Sequence, residues 1–233
     1  MIEFRTYTIQ ELAAVLKTSV NRQIISKKLD KLGVTYSING RGKTLLFEIK
    51  EIADEFKVFC NLDLGFDLRT EFSCLAYFLF LFFNDEDFQI QPLTVMENRL
   101  NDRNRKVSRQ TLSIWKKKLE ALGLFSKSTE CRYYSVSKGN RREITHEEYS
   151  KAWIAFYKYH AEHKNEDDFQ YTDGFGVMYD LIGGKAIKRP LIDLNGFHSD
   201  TIDKITELTS KIIDNDIKTA KLAASDFHID IKE

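Results

Sequence analysis

At Gly33 the apolar residues stop recurring at steps of three and four and begin to alternate. That change of period limits the first fifty residues to two helices followed by a hairpin. Ahead of it, Thr8-Ile9-Gln10-Glu11 has the form of a capping box, in which the Thr hydroxyl accepts from the third helical N–H and the Glu reaches back to the cap. Ile9, Leu12, Ala13 and Leu16 then share one helical face, and the pattern breaks at Lys17-Thr18. Ser19 is expected to cap a second helix with Val20, Ile24, Ile25, Leu29 and Leu32 on its apolar side, closed by Gly33. Beyond it Val34, Tyr36 and Ile38 alternate with polar residues, Asn39-Gly40-Arg41-Gly42 forms a turn, and Leu45 to Ile49 returns as a strand.

The same order begins again about 90 residues later. Lys118-Leu119-Glu120-Ala121-Leu122-Gly123-Leu124 echoes Lys28-Leu29-Asp30-Lys31-Leu32-Gly33-Val34. Val95, Met96 and Leu100 suggest one helix, a polar loop follows, and Ser108 is expected to cap another that carries Leu112, Trp115, Leu119 and Leu122. Arg132 to Val136 reads as a strand leading to a second basic tip at Ser137 to Arg142. Glu51 to Leu68 reads as a partly helical link and Glu71 to Phe83 as a buried apolar helix. A third capping box, Thr145-His146-Glu147-Glu148, opens a bracing helix through His163. A short helix near Val177 to Ile182 and a longer one from Ser199 to Ala223 complete the tail.

Helix, tight turn, helix and basic hairpin, seen twice, resemble the winged helix-turn-helix family of DNA-binding domains. The tandem arrangement is similar to replication initiators and regulators of phages, plasmids and other mobile elements. The expected fold is therefore mainly α with small β-hairpins (α+β): a first winged unit and link over 1–68, a second over 69–165, and an acidic helical tail over 166–233.

In such a unit the second helix lies in the major groove with its first exposed side chains at the base edges. In the first unit these are Asn21, Arg22, Gln23 and Lys27; Asn and Gln pair with adenine and Arg with guanine. In the second, Arg99, Arg103, Arg105, Lys106, Arg109, Lys116, Lys117 and Lys118 face only Asp102 within twenty residues. Like charges so close on a short helix repel, and phosphates would offset that. Gln110 and Ser113 join Arg109 as candidates for reaching bases. The wing tips add Arg41 and Lys43, and then Lys138, Arg141 and Arg142, for backbone contact.

Charge distribution supports this arrangement although the formal net charge is zero. Met1 to Arg142 holds 24 Lys and Arg against 17 Asp and Glu, whereas Glu143 to Glu233 holds 11 against 18. The twelve-residue apolar run from Phe72 to Phe83 is shorter than the ~20 residues that cross a bilayer. No secretory pattern follows Met1, so a cytoplasmic protein without a membrane partner is expected. Cys60, Cys74 and Cys131 are odd in number and lack metal-type spacing, which suits reduced core residues.

No catalytic residue, metal ligand or cofactor is assigned, and a non-enzyme is expected. Glu48-Ile49-Lys50 has the Glu-x-Lys form of metal-dependent nucleases but lacks an upstream Asp on a neighbouring strand. His160 and His163 with Glu162, Glu166, Asp167 and Asp168 suit a polar helix end better than a metal cluster. Gly183-Gly184-Lys185 lacks the spacing of a phosphate loop. Double-stranded DNA is the expected partner, in transcription regulation or DNA replication. A protein-interaction module, such as a phage inhibitor, and an unrecognised nuclease are the alternatives. Ile202, Ile205, Leu208, Ile212 and Ile213 form a stripe that suits a homodimer, another protein partner or the chain's own core.

Overall fold

The computed structural model describes residues 2–101, 106–138, 140–166, 168–194 and 196–226, apart from the side chains of 43, 197 and 220–226. The chain forms two compact units, Met1–Leu124 joined by Gly196–Glu233, and Phe125–Asn195. Both are α+β with small antiparallel sheets.

The first unit opens with a strand that the periodicity does not announce, β1 (Thr6–Thr8). It pairs with the strand returning from the wing, setting Tyr7 opposite Phe47, and both rings are buried. Thr8 ends β1 and also caps α1 (Ile9–Val15): its Oγ1 accepts the Glu11 N–H at 3.2 Å and its own N–H donates to Glu11 Oε2 at 2.8 Å. Those hydrogen bonds hold the Glu11 carboxyl below the usual carboxylate range, the Thr8 N–H first.

The break after α1 is a Schellman turn, with Thr18 N–H on Ala13 O at 2.9 Å and Lys17 N–H on Ala14 O at 3.0 Å. Lys17 takes the left-handed conformation (φ 51°) that glycine usually fills there. Its ammonium donates to Leu62 O, and Lys28 Nζ donates to Leu16 O at 2.6 Å, so both lysines tie the turn down. Burial, with Lys17 adding repulsion, lowers the Lys28 ammonium from its ordinary value.

The next helix, α2, spans Arg22–Leu32 and is capped by Asn21 rather than Ser19. Asn21 Oδ1 accepts from the N–H groups of Gln23 (2.9 Å) and Ile24 (3.2 Å), and this double contact selects the later start. Val20 therefore precedes the helix, and neither it nor Ile24 joins the core as the apolar spacing implied; Ile25, Leu29 and Leu32 do. Gly33 closes α2 in the left-handed region (φ 73°).

Next come β2 (Val34–Asn39) and β3 (Leu46–Ile52), giving sheet order β1-β3-β2. The wing tip depends on Gly40 (φ 83°), where a Cβ would lie 2.2 Å from Thr44 O. Tyr7, Leu12, Leu16, Ile25, Leu29, Leu32, Phe47 and Ile49 make the core of these helices and strands, joined by Val58 and Leu62 of α3 (Glu55–Leu62).

The rest of the first unit is helical: α4 (Phe72–Asn84), α5 (Glu86–Gln89), α6 (Leu93–Leu100) and α7 (Arg109–Ala121). The apolar run is a buried helix as expected, with Phe78 packed on Phe82, Phe88 and Trp115 at ring distances of 5.5, 6.2 and 5.6 Å. Against α4 lies the last helix, α10 (Ser199–Asp226), whose Ile205, Leu208 and Thr209 are buried and whose Asp216 accepts from Tyr77 OH at 3.0 Å. Cys60 and Cys74 are buried and Cys131 is half-buried, all three as thiols. Burial, with Asp54 and Asp63 nearby, pushes the Cys60 thiol well up.

The second unit is a sheet of order β5-β4-β6, made of β4 (Phe125–Ser137), β5 (Asn140–Ile144) and β6 (Lys185–Leu194). Helices α8 (His146–His163) and α9 (Phe175–Ile182) pack on it through Phe156, Ala152, Met178 and Ile182, with Tyr133, Ile144 and Ala186 of the sheet. Thr145 caps α8 with the capping box read from the sequence. The tail was expected to be helical, yet β6 is a ten-residue strand. Pro190 concealed it; a proline is tolerated because β6 is an edge strand and Pro190 stands opposite Cys131, where the register with β4 is irregular. The hairpin expected as a second wing is thus two strands of this three-stranded sheet, while the helix read with it, α7, belongs to the first unit.

Candidate nucleic-acid interface

Gln23, Ile24, Lys27 and Lys31 are exposed on the side of α2 away from Ile25, Leu29 and Leu32, which fill the core, and Arg22 is exposed beside them in the first turn. Arg22, Lys27 and Lys31 form no ion pair among the described residues. The one carboxylate of this helix, Asp30, accepts from Tyr36 OH at 3.1 Å. Burial raises the Tyr36 hydroxyl above its ordinary value, and Asp30 adds to that. Lys31, outside the first turn, belongs to this surface as well, four residues beyond Lys27 and seven beyond Ile24. Asn21 has the residue type of a base reader, but its oxygen is engaged by the helix amides.

In the β2–β3 hairpin, Arg41 is exposed at the turn, where Thr44 Oγ1 donates to Arg41 O at 2.9 Å. The side chain of Lys43 lies outside the described residues. Glu48 accepts from Ser37 Oγ at 3.0 Å and pairs with Lys50, and these contacts, Lys50 first, lower its carboxyl. The Glu-x-Lys element is therefore an ion pair along one strand of the wing.

The cation-rich stretch around α7 is arranged otherwise. Arg99 pairs with Asp85 at 2.9 Å and lies over the Phe88 ring at 5.3 Å. Burial raises the Asp85 carboxyl, but the Phe88 N–H and Arg99 outweigh it and hold Asp85 below the usual range. Arg109 pairs with Glu97 at 3.2 Å. Lys116 donates to Gln89 O at 2.8 Å and faces the Phe82 ring, and Lys118 faces the Phe66 ring. Lys106, Gln110 and Lys117 are exposed, Ser113 is half-buried, and Arg103 and Arg105 lie outside the described residues. Most of the described cations of this stretch thus meet carboxylates, carbonyls or rings of their own unit.

The β4–β5 hairpin shows the same habit. Arg141 lies 4.0 Å over the Tyr134 ring, and Arg142 pairs with Glu148 at 3.7 Å and donates to Ile182 O at 3.2 Å. Lys138 sits at the tip in the left-handed region (φ 46°). Within α8 and the segment after it, His160 Nε2 meets Tyr171 O at 2.9 Å among the rings of Phe156, Phe169 and Tyr171. His163 Nδ1 meets Tyr159 O at 2.8 Å. Asp167 lies outside the described residues. Gly183 ends α9 and Lys185 starts β6. Among the described residues no three His, Cys, Asp or Glu side chains gather as a metal site, and no helix is long and apolar enough to cross a membrane.

Cations without an ion-pair partner on a solvent-facing helix that follows a tight turn and precedes a glycine-tipped hairpin occur together once among the described residues, at α2. No family model, curated protein or solved structure matches the chain.

Proposed function

We propose that this protein binds duplex DNA, with α2 in the major groove and the β2–β3 wing against the neighbouring backbone. The observation that carries the reading is the exposed surface of α2: Gln23, Lys27 and Lys31 on its outer face and Arg22 in its first turn stand open on a helix whose other face is locked into a core. Cations without internal partners gain most from phosphates, because no ion pair has to be broken first and condensed counterions are released. The helix is fixed by Asn21 at one end, by Gly33 at the other and by Lys28 at the turn. Such a rigid platform suits side chains that must meet base edges in register. Selective duplex binding of this kind serves a transcriptional regulator or a replication initiator, as the resemblance to mobile-element proteins implies.

Fluorescence anisotropy with labelled duplex DNA over a salt series tests the proposal. Affinity is expected to fall with log salt at a slope of about −0.9 for each phosphate neutralised. The triple variant Arg22→Glu, Lys27→Glu, Lys31→Glu is expected to abolish binding while leaving the melting temperature within a few degrees. Undiminished binding by that variant would remove α2 from the interface.

A further inference from the structure

Two aliphatic side chains stand open to solvent at the start of α2, Val20 at 58% exposure and Ile24 at 45%. They are not needed for the core, since Ile25, Leu29 and Leu32 of the same helix complete it. Ile24 lies in the first turn and Val20 just ahead of it, next to the exposed Arg22 and Gln23, where a groove-bound helix approaches the bases most closely.

The polar neighbours narrow what these methyl groups can meet. Asparagine reads adenine with both ends of its amide, the oxygen accepting from N6 while the nitrogen donates to N7. Asn21 Oδ1 already accepts from two helix N–H groups, at 2.9 and 3.2 Å, so it lacks the acceptor for that pair. Gln23 is exposed and makes no side-chain hydrogen bond among the described residues, so both ends of its amide remain available. Thymine is the base that offers an apolar group in the major groove, its 5-methyl.

We infer that Ile24, with Val20 just ahead of the helix, is a specificity-determining residue that reads thymine methyl groups, while Gln23 pairs with adenine in the same or the neighbouring A·T pair. This rests on the DNA-binding proposal above and adds to it the class of target: duplex sites with A·T pairs under the first turn of α2. Arg22, Lys27 and Lys31 then supply affinity, and the uncharged group supplies the choice of base.

Selection from a random duplex library, followed by replacement of each thymine in the bound sequence by deoxyuridine, tests the inference without altering the protein. Selected sites are expected to share one or two A·T pairs. Loss of a contacted methyl is expected to weaken binding about four-fold, the equivalent of ~0.8 kcal/mol per buried carbon. The Ile24→Ala variant is expected to melt like the parent protein and to bind the thymine and uracil forms alike. Salt-sensitive duplex binding that is indifferent to uracil at every position overturns this inference and leaves the DNA-binding proposal standing. Absence of any salt-sensitive duplex binding overturns both.

Discussion

Asn21 holds two backbone amides with one oxygen and so starts the helix. Asn21→Ala is expected to lower stability by about 1 kcal/mol in urea unfolding. Asn21→Asp keeps the cap and should unfold near the parent midpoint, yet it adds a negative charge to the outer face and should weaken duplex binding. At the wing, Gly40→Ala forces a Cβ against Thr44 O in a left-handed backbone, at an expected cost of about 1–3 kcal/mol by the same measurement. Glu207 illustrates a titration. Lys211 at 2.7 Å and Lys204 at 2.9 Å, Lys211 first, lower its carboxyl from the ordinary 4.5 to about 2. A folded value below the unfolded one means that these pairs stabilise the fold above about pH 4.5, and that this contribution is lost as pH falls towards 2. An NMR titration of the Glu207 carboxyl should therefore have its midpoint near 2 and move up in Lys211→Ala; a midpoint near 4.5 in the parent would contradict the pairing.

At the scale of elements, α2 and α7 look alike in sequence, each a capped basic helix ending in Leu-Gly, and differ in what their cations meet. Reversals on α2 are expected to change binding and hardly alter stability. Arg99→Glu and Lys116→Glu are expected to do the opposite, because Arg99 caps the Asp85 carboxylate and Lys116 occupies the Gln89 carbonyl. Parallel melts and anisotropy titrations of the two sets check this, and equal effects in both assays would refute the division.

The helices were legible because caps, apolar spacing and closing glycines are all local signals, as at Thr8, Thr145 and Gly33. β1 was not, since three residues without a turn signal acquire their identity from pairing with β3, forty residues away. β6 was hidden by Pro190 and by its lack of alternation. The candidate interface was legible in residue type at Arg22, Gln23 and Lys27. Whether a cation is neutralised depends on partners distant along the chain, such as Asp85 for Arg99, and no local pattern carries that.

On the scale of the molecule, the chain leaves its first unit at Leu124 and rejoins it at Gly196. The stripe on α10 that suggested a docking helix has a partner within the chain, since Ile205 and Leu208 are buried in the helix that packs along α4. Truncation after Leu194 would uncover the face of α4 that packs against α10, the helix of Ile205 and Leu208. The truncated protein is expected to bind a hydrophobic dye and aggregate, whereas a monomeric form with an unchanged cooperative melt would show that α10 is dispensable.

This return sets a clock on biosynthesis. About 115 residues separate Asn84, the end of α4, from Ser199, the start of α10. At ribosomal rates of about 5–20 residues per second, α4 emerges roughly 6–23 s before the helix that covers it. The front of the chain, β1 to α3, has all its strands and helices within the first 62 residues and can close on its own core during that interval. Phe78 can likewise pack on Phe82, Phe88 and Trp115 early, but the face of α4 that packs against α10 stays uncovered, so the nascent protein displays a ligand for general chaperones for as long as the second unit is being made.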